Sequence, residues 1–281
     1  MEPAPHYRTL WISDIHLGTP QAKADFLLDF LRRHDADRYY LVGDIFDGWA
    51  LKRSWYWPPS HNEVVQGLLR KAQSTDITYI PGNHDEAARD FPGLQFGGIT
   101  IQTQTVHTTA DGRRFLIVHG DEFEGVVRHS KWVEVLGEWT YAAVLTVDDW
   151  LTRLRRLFNL SYWSLANYLK ESTQIQQFIT EFEEAAAREA RKDDFDGIIC
   201  GHIHRPRMRT IEGTQYVNTG DWVQSCTALG ERENGRLELL RWIPEGHGLQ
   251  DEIPADTPLA QEARTLSAET LDSELQANRE A

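Results

Sequence analysis

Short apolar runs alternate with longer amphipathic stretches over the first half of the chain. The runs at 8–14, 38–44 and 76–82 have the length and composition of buried strands. The stretches at 21–34 and 62–73 repeat apolar residues at the helical period. This order of strand, helix, strand, helix and strand predicts parallel strands joined by right-handed crossovers.

The pattern changes in the second half of the chain. Residues 99–108 and 114–120 predict a pair of hairpin-like strands around a turn at Ala110-Asp111-Gly112. Apolar residues then recur every three or four positions, which predicts a helical block over about 127–192. Residues 195–201 predict one more buried strand.

Two further hairpins are indicated by Glu212-Gly213 and Asn234-Gly235. After Trp242 the composition turns to Pro, Glu, Ala and Asp. We therefore expect one domain over 1–242, carrying the helical block as an insertion, and a poorly ordered acidic tail over 243–281.

Composition narrows the classes of function. The 281 residues are 41% hydrophobic and 26% charged, as in a soluble globular protein. The net charge of −14 disfavours a nucleic-acid partner, although the tail alone contributes −7 and leaves room for a local basic patch. The start of the chain does not resemble a signal peptide, and no run approaches the ~18 apolar residues of a membrane span. Together with two cysteines that lack disulfide or zinc spacing, this predicts a cytoplasmic protein.

Polar side chains collect where five of the predicted strands end. Each cluster alone has an ordinary explanation, because an Asp after a strand is usually a turn former and a lone His usually has no ligand. Five clusters together indicate a binding site, since open α/β sheets bind ligands at the carboxyl ends of their strands. The clusters consist of Asp14, His16, Asp44, Asp47, Asn83, His84, Asp85, His119, Asp121, His202 and His204.

Two pairs in this set, Asp14 with His16 and His202 with His204, are spaced two residues apart. Residues at this spacing in an extended strand point to the same side, so we expect each pair to face one cavity.

The side chains in these clusters are the types that bind metal ions. Carboxylate, imidazole and amide ligands without a thiolate favour Mn²⁺, Fe or Zn²⁺ over a structural cysteine–zinc site. Seven of these side chains are candidate ligands, which is too many for one ion and suits two ions that share a carboxylate. They are Asp14, His16, Asp44, Asn83, His119, His202 and His204. Asp14, Asp44 and a bridging hydroxide would leave two divalent ions with a residual positive charge, which attracts a phosphate ester. The sequence therefore predicts a phosphoesterase site.

The ordered motifs D-x-H, G-D-x-x-D, G-N-H-D, H-G-D and G-H-x-H, between residues 14 and 204, resemble those of the calcineurin-like metallophosphoesterases. The resemblance implies an α/β fold, a four-layer α/β/β/α sandwich with a helical insertion as a lid. It also implies two divalent metal ions at the strand ends, with Mn²⁺ favoured and Fe or Zn²⁺ as alternatives.

The same resemblance implies a role for each residue of the motifs. One ion would be held by Asp14, His16, Asp44 and His204, and the other by Asp44, Asn83, His119 and His202. His84 would stabilise the charged transition state or protonate the leaving oxygen. Asp47, Asp85 and Asp121 would orient the ligands, although a cap or turn role explains Asp47 and Asp85 equally well.

Within this family the chain resembles the UDP-2,3-diacylglucosamine diphosphatases of lipid A synthesis. The stretch "GDIFDGW", the helical insertion and the short length carry this resemblance, and "NTGDWVQSCTAL" at 218–229 is typical of a side group of the same branch. One motif differs, because the well-known members have G-N-R-D where this chain has His84.

Aromatic and basic residues in the predicted insertion bear on the substrate independently. Trp163 lies there with other tryptophans, and Arg128 and Lys170 accompany them. Such a mixture suits a lipid chain, a membrane surface or a nucleotide base, which would make these residues substrate ligands and place the protein peripherally on the inner membrane. The alternative is that the tryptophans form the insertion's own core and the cations a solvated face.

Three functions remain after these arguments. The first is a two-metal pyrophosphatase for a nucleotide-sugar lipid, and the second is a phosphodiesterase or phosphatase for soluble nucleotides. The third, a non-catalytic scaffold, is disfavoured because all seven expected ligands and His84 are present. The oligomeric state cannot be inferred from the sequence.

Overall fold

The computed structural model describes residues 5–127 and 173–244. The strands are β1 (His6–Ile12), β2 (Asp35–Val42), β3 (Asp76–Ile80), β4 (Gln95–Phe96), β5 (Ile99–Ile101), β6 (Thr105–Thr108), β7 (Arg114–Ile117), β8 (Gly197–Cys200), β9 (Arg207–Ile211), β10 (Thr214–Asn218), β11 (Thr227–Glu231) and β12 (Leu237–Arg241). The helices are α1 (Ala24–Arg33), α2 (Gly48–Arg53), α3 (Pro59–Lys71), α4 (Glu124–Val127) and α5 (Thr173–Lys192). None of these helices is long and apolar enough to cross a bilayer.

The described strands form two sheets. The first has the order β12-β11-β1-β2-β3-β5-β4, and the second has the order β6-β7-β8-β10-β9. Strands β1, β2 and β3 pair in parallel, which confirms the interpretation of the first half of the chain. The hairpins at Glu212-Gly213 and Asn234-Gly235 are confirmed as β9–β10 and β11–β12.

One strand prediction was wrong. Residues 99–108 are two strands in different sheets, since β5 pairs in parallel with β3 and β6 pairs antiparallel with β7. The alternation of Thr with apolar residues predicts extended, half-buried backbone, but it does not show at which residue the chain passes from one sheet to the other.

The two sheets pack face to face around a shared apolar core. It contains Trp11, Tyr40, Val42 and Ile80 of the first sheet and Phe115, Ile117, Ile199 and Val217 of the second. Alternate residues point to the outer faces. On the first sheet the outer face is covered by helices, as shown by Lys71 of α3, whose Nζ lies 5.2 Å from the centroid of the Tyr39 ring in β2.

Helix α5 covers the outer face of the second sheet. Phe182, Ala186 and Ala190 of this helix are buried against Ile198 and Tyr216. The order of layers is therefore helix, sheet, sheet and helix, which confirms the four-layer sandwich. The described residues up to Arg241 belong to one compact unit.

Part of the helical block predicted over 127–192 has a different role from the one expected. Residues 173–192 are helical as expected, but α5 is a layer of the main fold rather than part of a lid, because its inner face is buried against the sheet. The helical period alone cannot distinguish these roles. The rest of the block, with Arg128, Trp163 and Lys170, lies outside the described residues, as does the tail from 245 onward.

A buried polar network ties the two sheets together away from the predicted site. Glu231 of β11 accepts a hydrogen bond from Nη1 of Arg8 at 2.7 Å and lies 2.8 Å from Nε2 of His107 in β6. The Ala110 N–H donates to the same carboxylate at 2.8 Å. Burial disfavours the charged carboxylate, but the hydrogen bonds from His107 and Ala110 outweigh it and lower the pKa of Glu231.

Replacing this carboxylate should destabilise the fold. We expect Glu231→Gln to lose about 3 kcal/mol of unfolding free energy at pH 7, because removing the charge leaves its buried partners poorly paired. Since the folded pKa is lowered, the contribution is complete above the unfolded value of about 4.3 and is lost as pH falls through the folded value. Denaturant unfolding at several pH values measures both effects.

The control is Glu233→Gln, which makes the same charge change at an exposed position of the same hairpin. A Glu231→Gln protein as stable as this control, or a difference that stays constant down to pH 3, would contradict the assignment.

Candidate metal centre

The loops that follow β1, β2, β3, β7 and β8 converge at one edge of the sandwich. Five of the predicted ligands on these loops have left-handed backbone, with φ values of 50° at Asp14, 53° at His16, 52° at Asp44, 70° at His202 and 52° at His204. Non-glycine residues rarely adopt this conformation, and it persists where the surrounding structure imposes it, often at functional sites.

The backbone at these residues differs from the extended chain that their spacing predicts. In an extended chain, Asp14 and His16, and likewise His202 and His204, would share a side. Their φ values show a left-handed turn at every one of these residues. The side chains still converge, but tight turns rather than strand alternation direct them.

Two glycines allow the ligands to approach one another. A Cβ on Gly82 would collide with the Asp44 carboxylate and lie 2.7 Å from Nε2 of His119. A Cβ on Gly43, whose φ is +77°, would collide with the His119 ring. Gly82, before Asn83, and Gly43, before Asp44, are therefore required because a side chain there would collide with ligands from other loops.

One group of ligand atoms contains Asp14, His16 and His204. These atoms lie within 4.8 Å of one another. Nε2 of His204 is 3.2 Å from Oδ1 of Asp14 and 3.2 Å from Nε2 of His16. The Asp14 carboxylate also accepts the N–H of His202 at 3.1 Å, which connects the first and last motifs.

A second group contains Asp44, His119 and His202, and a third contains His16, Asp44 and His84, each within the same 4.8 Å limit. Nδ1 of His119 lies 3.0 Å from the carbonyl of Val42, which makes it the donor and directs Nε2 at Asp44.

Asp44 connects the groups. Its Oδ2 lies 3.4 Å from Nε2 of His119, 3.8 Å from Nε2 of His16 and 4.0 Å from Nε2 of His84. Its Oδ1 accepts the backbone N–H of His84 at 2.9 Å. One buried carboxylate therefore faces histidines from three different loops.

These residues fit divalent ions. Oδ1 of Asn83 is buried without a hydrogen-bond partner among the described residues, although such an atom normally has one. An amide oxygen, two buried carboxylates and several imidazoles form a donor set of the kind that first-row metals bind. Two of the three groups share Asp44, and the remaining group is linked to them through His16, an arrangement expected for two ions rather than one.

The charges of the site are mutually stabilised. Burial disfavours an ionised Asp44, but the imidazoles, His119 foremost, outweigh it and hold the pKa of this carboxyl well below its usual range. His204 has the same effect on Asp14, whose pKa is also lowered. Both carboxylates are therefore ionised and available to cations at neutral pH.

Asp85 holds the loops rather than facing the ligand groups. Its carboxylate accepts backbone N–H groups of Gly82, Asp44, Ile45 and Phe46 at 2.5 to 3.3 Å. Burial, followed by the nearby charge of Asp44, raises its pKa. Asp85 thus fixes the loop after β3 to the loop after β2.

Asp47 combines the two roles that the sequence left open. Its Oδ1 accepts the N–H of Ala50 at 2.7 Å and caps α2. Its Oδ2 lies 3.3 Å from Nδ1 of His16 and 3.2 Å from Nδ1 of His84. The ring of Trp49 packs on His84 with a centroid distance of 4.3 Å, so His84 is held from two directions.

Asp121 pairs with an arginine of the neighbouring loop. It accepts two hydrogen bonds from the guanidinium of Arg89, at 2.6 and 2.9 Å, and Arg89 also donates to the carbonyl of Pro81. This pair links the loop after β7 to the loop after β3, and a bidentate geometry makes the link specific.

Sequence reasoning missed three residues around the site: Arg89, Asp221 and Glu124. The buried Asp221 carboxylate has an oxygen 4.0 Å from Nδ1 of His204, and Glu124 has one 2.9 Å from Nε2 of His202. The residues of each contact are far apart in the sequence, so no periodic pattern indicates that they meet. The acidic run after His119 was the only available signal for Glu124.

The calcineurin-like phosphoesterase family model matches residues 7–206, which include the loops after β1, β2, β3, β7 and β8. The chain belongs to this family. It is 28% identical over 225 residues to the UDP-2,3-diacylglucosamine hydrolase of Chromohalobacter salexigens. The aligned region covers 76% of this chain and 88% of that protein. It is also 26% identical over 254 residues to the enzyme of the same name from Cellvibrio japonicus, covering 83% and 98%.

Solved structures show similarity at lower identity. A protein from Pyrococcus horikoshii has a TM-score of 0.46 and 11% identity, over 84% of this chain and 87% of its own. A Vps29 variant from Entamoeba histolytica has a TM-score of 0.39 and 13% identity, over 84% and 99%.

Asp47→Asn separates the two roles of this residue. Asparagine is as good a helix cap, so we expect unfolding free energy to change by less than about 0.5 kcal/mol. The rings of His16 and His84 lose their anionic partner, and kcat for a chromogenic phosphodiester should fall about tenfold or more. Unfolding and steady-state kinetics on one preparation measure both.

Asp37→Asn, an exposed aspartate of β2, is the matched control for the charge change. Loss of stability with unchanged kcat would make Asp47 a helix cap only.

Proposed function

We propose that this metallophosphoesterase is a pyrophosphatase that hydrolyses a nucleotide-sugar lipid of the UDP-2,3-diacylglucosamine type in lipid A synthesis. The observation that carries the proposal is the set of overlapping ligand groups joined by Asp44. Support for the substrate comes from the names of the curated relatives, which match most of this chain and most of their own length.

The proposed ligand sets are those that the family resemblance implies, and the groups around Asp14 and Asp44 support them. Asp14, His16, Asp44 and His204 would hold one ion, and Asp44, Asn83, His119 and His202 the other, with Mn²⁺ favoured and Fe or Zn²⁺ as alternatives. When bound, two such ions activate a water nucleophile and neutralise charge on the phosphate oxygens.

His84 is proposed as the residue that stabilises the developing charge on the scissile phosphate or protonates the leaving oxygen. Its Nδ1 lies 3.2 Å from Oδ2 of Asp47, and this contact fixes the orientation of the ring. Its Nε2 lies 4.0 Å from Oδ2 of Asp44, at the centre of the ligand groups. A proton at Nε2 is therefore positioned where a phosphate oxygen would bind.

A cavity of about 280 Å³ lies beside His84 and offers space for part of the substrate. Phe46 and Trp49 form an apolar part of its wall, and the Lys52 side chain also lines it. Asp85 and Glu86 line it as well, so the cavity combines apolar walls with charged side chains of both signs, which suits an amphipathic molecule. We propose that one end of the substrate binds here while the diphosphate faces the ions.

The remaining parts of the proposal concern the segment from 128 to 172. Arg128, Trp163 and Lys170 would contact the lipid or sugar, and the segment would act as a lid and allow peripheral contact with the cytoplasmic face of the inner membrane. A nucleic-acid substrate remains disfavoured by the net charge of −14.

A second candidate is a phosphodiesterase for soluble nucleotides. His84 favours it, because this position is Arg in the well-known diphosphatases. A histidine serves phosphate chemistry without recognition of a particular sugar lipid.

Hydrolysis of three substrates in Mn²⁺ decides between the candidates: UDP-2,3-diacylglucosamine, its deacylated analogue and a generic phosphodiester. We expect kcat/KM to be highest for the acylated substrate by about a hundredfold or more, because acyl contacts add binding energy. His84→Ala should lower kcat on every substrate about a hundredfold. Equal or better turnover of the generic ester would favour the second candidate.

The cavity beside His84 has its own test. Trp49→Ala should raise KM for the acylated substrate about tenfold, because an aromatic wall of the cavity is removed. Trp55→Ala is the matched control, since the Trp55 side chain is 76% exposed and does not line the cavity. Equal effects of the two substitutions on KM would show that the cavity does not bind substrate.

A further inference from the structure

The His202 ring is fixed partly by two residues that the family motifs do not include, Glu124 and Phe182. Its Nε2 lies 2.9 Å from Oε1 of Glu124, the first residue of α4. The ring of Phe182 from α5 lies on one side at 6.1 Å, and His119 meets it edge-on at 5.1 Å. The backbone N–H of His202 donates to Asp14. The position and the rotation of this imidazole are therefore both determined.

The contact with Glu124 determines which nitrogen can bind a cation. A carboxylate can only accept, so the proton of a neutral His202 ring lies on Nε2 and the lone pair is on Nδ1. A hydrogen bond to a carboxylate also makes the opposite nitrogen a stronger base.

His119 and His202 differ in the partner that holds the outer nitrogen of each ring. Both histidines belong to the group around Asp44, and each has one nitrogen engaged outside that group. His119 donates to a neutral carbonyl, that of Val42, whereas His202 faces a charged carboxylate. The Glu124 side chain is 34% exposed, so part of it stays in contact with solvent.

We propose that Glu124 is a positioning residue that sets the affinity of the ion held by Asp44, Asn83, His119 and His202. It does so by fixing the His202 tautomer and raising the basicity of Nδ1. The inference rests on the proposed two-ion site but not on the identity of the substrate, so it can hold even if the lipid pyrophosphatase assignment fails. Glu124 itself contacts neither the substrate nor the reacting atoms.

Metal titration of Glu124→Gln and Glu124→Ala tests the proposal. Calorimetric titration with Mn²⁺ should show one of the two sites weakened about tenfold to a hundredfold in Glu124→Ala, with the other site within about twofold of wild type. Glu124→Gln should lie between, because the amide oxygen still accepts the Nε2 proton but carries no charge. Glu63→Gln, a charge change on the half-exposed surface of α3, is the matched control.

A double-mutant cycle connects the effect to His202. If Glu124 acts through this ring, adding Glu124→Ala to His202→Ala should cause no further loss of affinity. Additive losses would show that Glu124 acts elsewhere and would overturn the proposal. So would equal weakening of both ions, or affinities of the two Glu124 variants that match Glu63→Gln.

A proton resonance of the His202 ring can distinguish this positioning role of Glu124 from a purely structural one. In the Co²⁺-loaded protein, the ring N–H of His202 should give a shifted, slowly exchanging proton resonance, and Glu124→Ala should broaden or remove it. Thermal unfolding of the metal-free variants should match wild type within about 2 °C, consistent with loss of a partly exposed contact. A resonance unchanged in Glu124→Ala would contradict the assigned hydrogen bond.

Discussion

The site depends on one carboxylate, that of Asp44, which several histidines share as a partner. Its oxygens face imidazoles from the loops after β1, β3 and β7, at distances of 3.4 to 4.0 Å. A side chain that serves three loops must itself be held, and Asp85 does this by accepting the N–H of Asp44 and of its neighbours. The geometry at Asp44 therefore couples all the ligand groups.

The sandwich supplies the rigidity that this arrangement needs. Left-handed backbone at Asp14, His16, Asp44, His202 and His204 is costly, of the order of 1 kcal/mol or more for each residue. These residues follow strands whose side chains are buried on both faces, so packing of the layers keeps the turns in place. Stability generated in the core is thus used to hold ligands in conformations that an isolated loop would not keep.

Much of the fold could be predicted, because periodicity and strand order are local properties of the sequence. The parallel strands followed from them, whereas the four layers were implied by the resemblance of the motifs to a known family. The polar residues at the strand ends indicated where ligand atoms would meet. Pairings across the fold could not be predicted in this way. The division of 99–108 between two sheets, the turns at His16 and His202, and the contacts of Arg89 and Glu124 all depend on residues distant in sequence.

Electron paramagnetic resonance during titration with Mn²⁺ tests most directly whether one chain holds two ions that share Asp44. We expect two ions per chain with an exchange-coupled spectrum. In Asp44→Asn, where the shared carboxylate is an amide, we expect loss of the coupling and of at least one ion. A single Mn²⁺ in the wild type, or two ions without coupling, would contradict this arrangement.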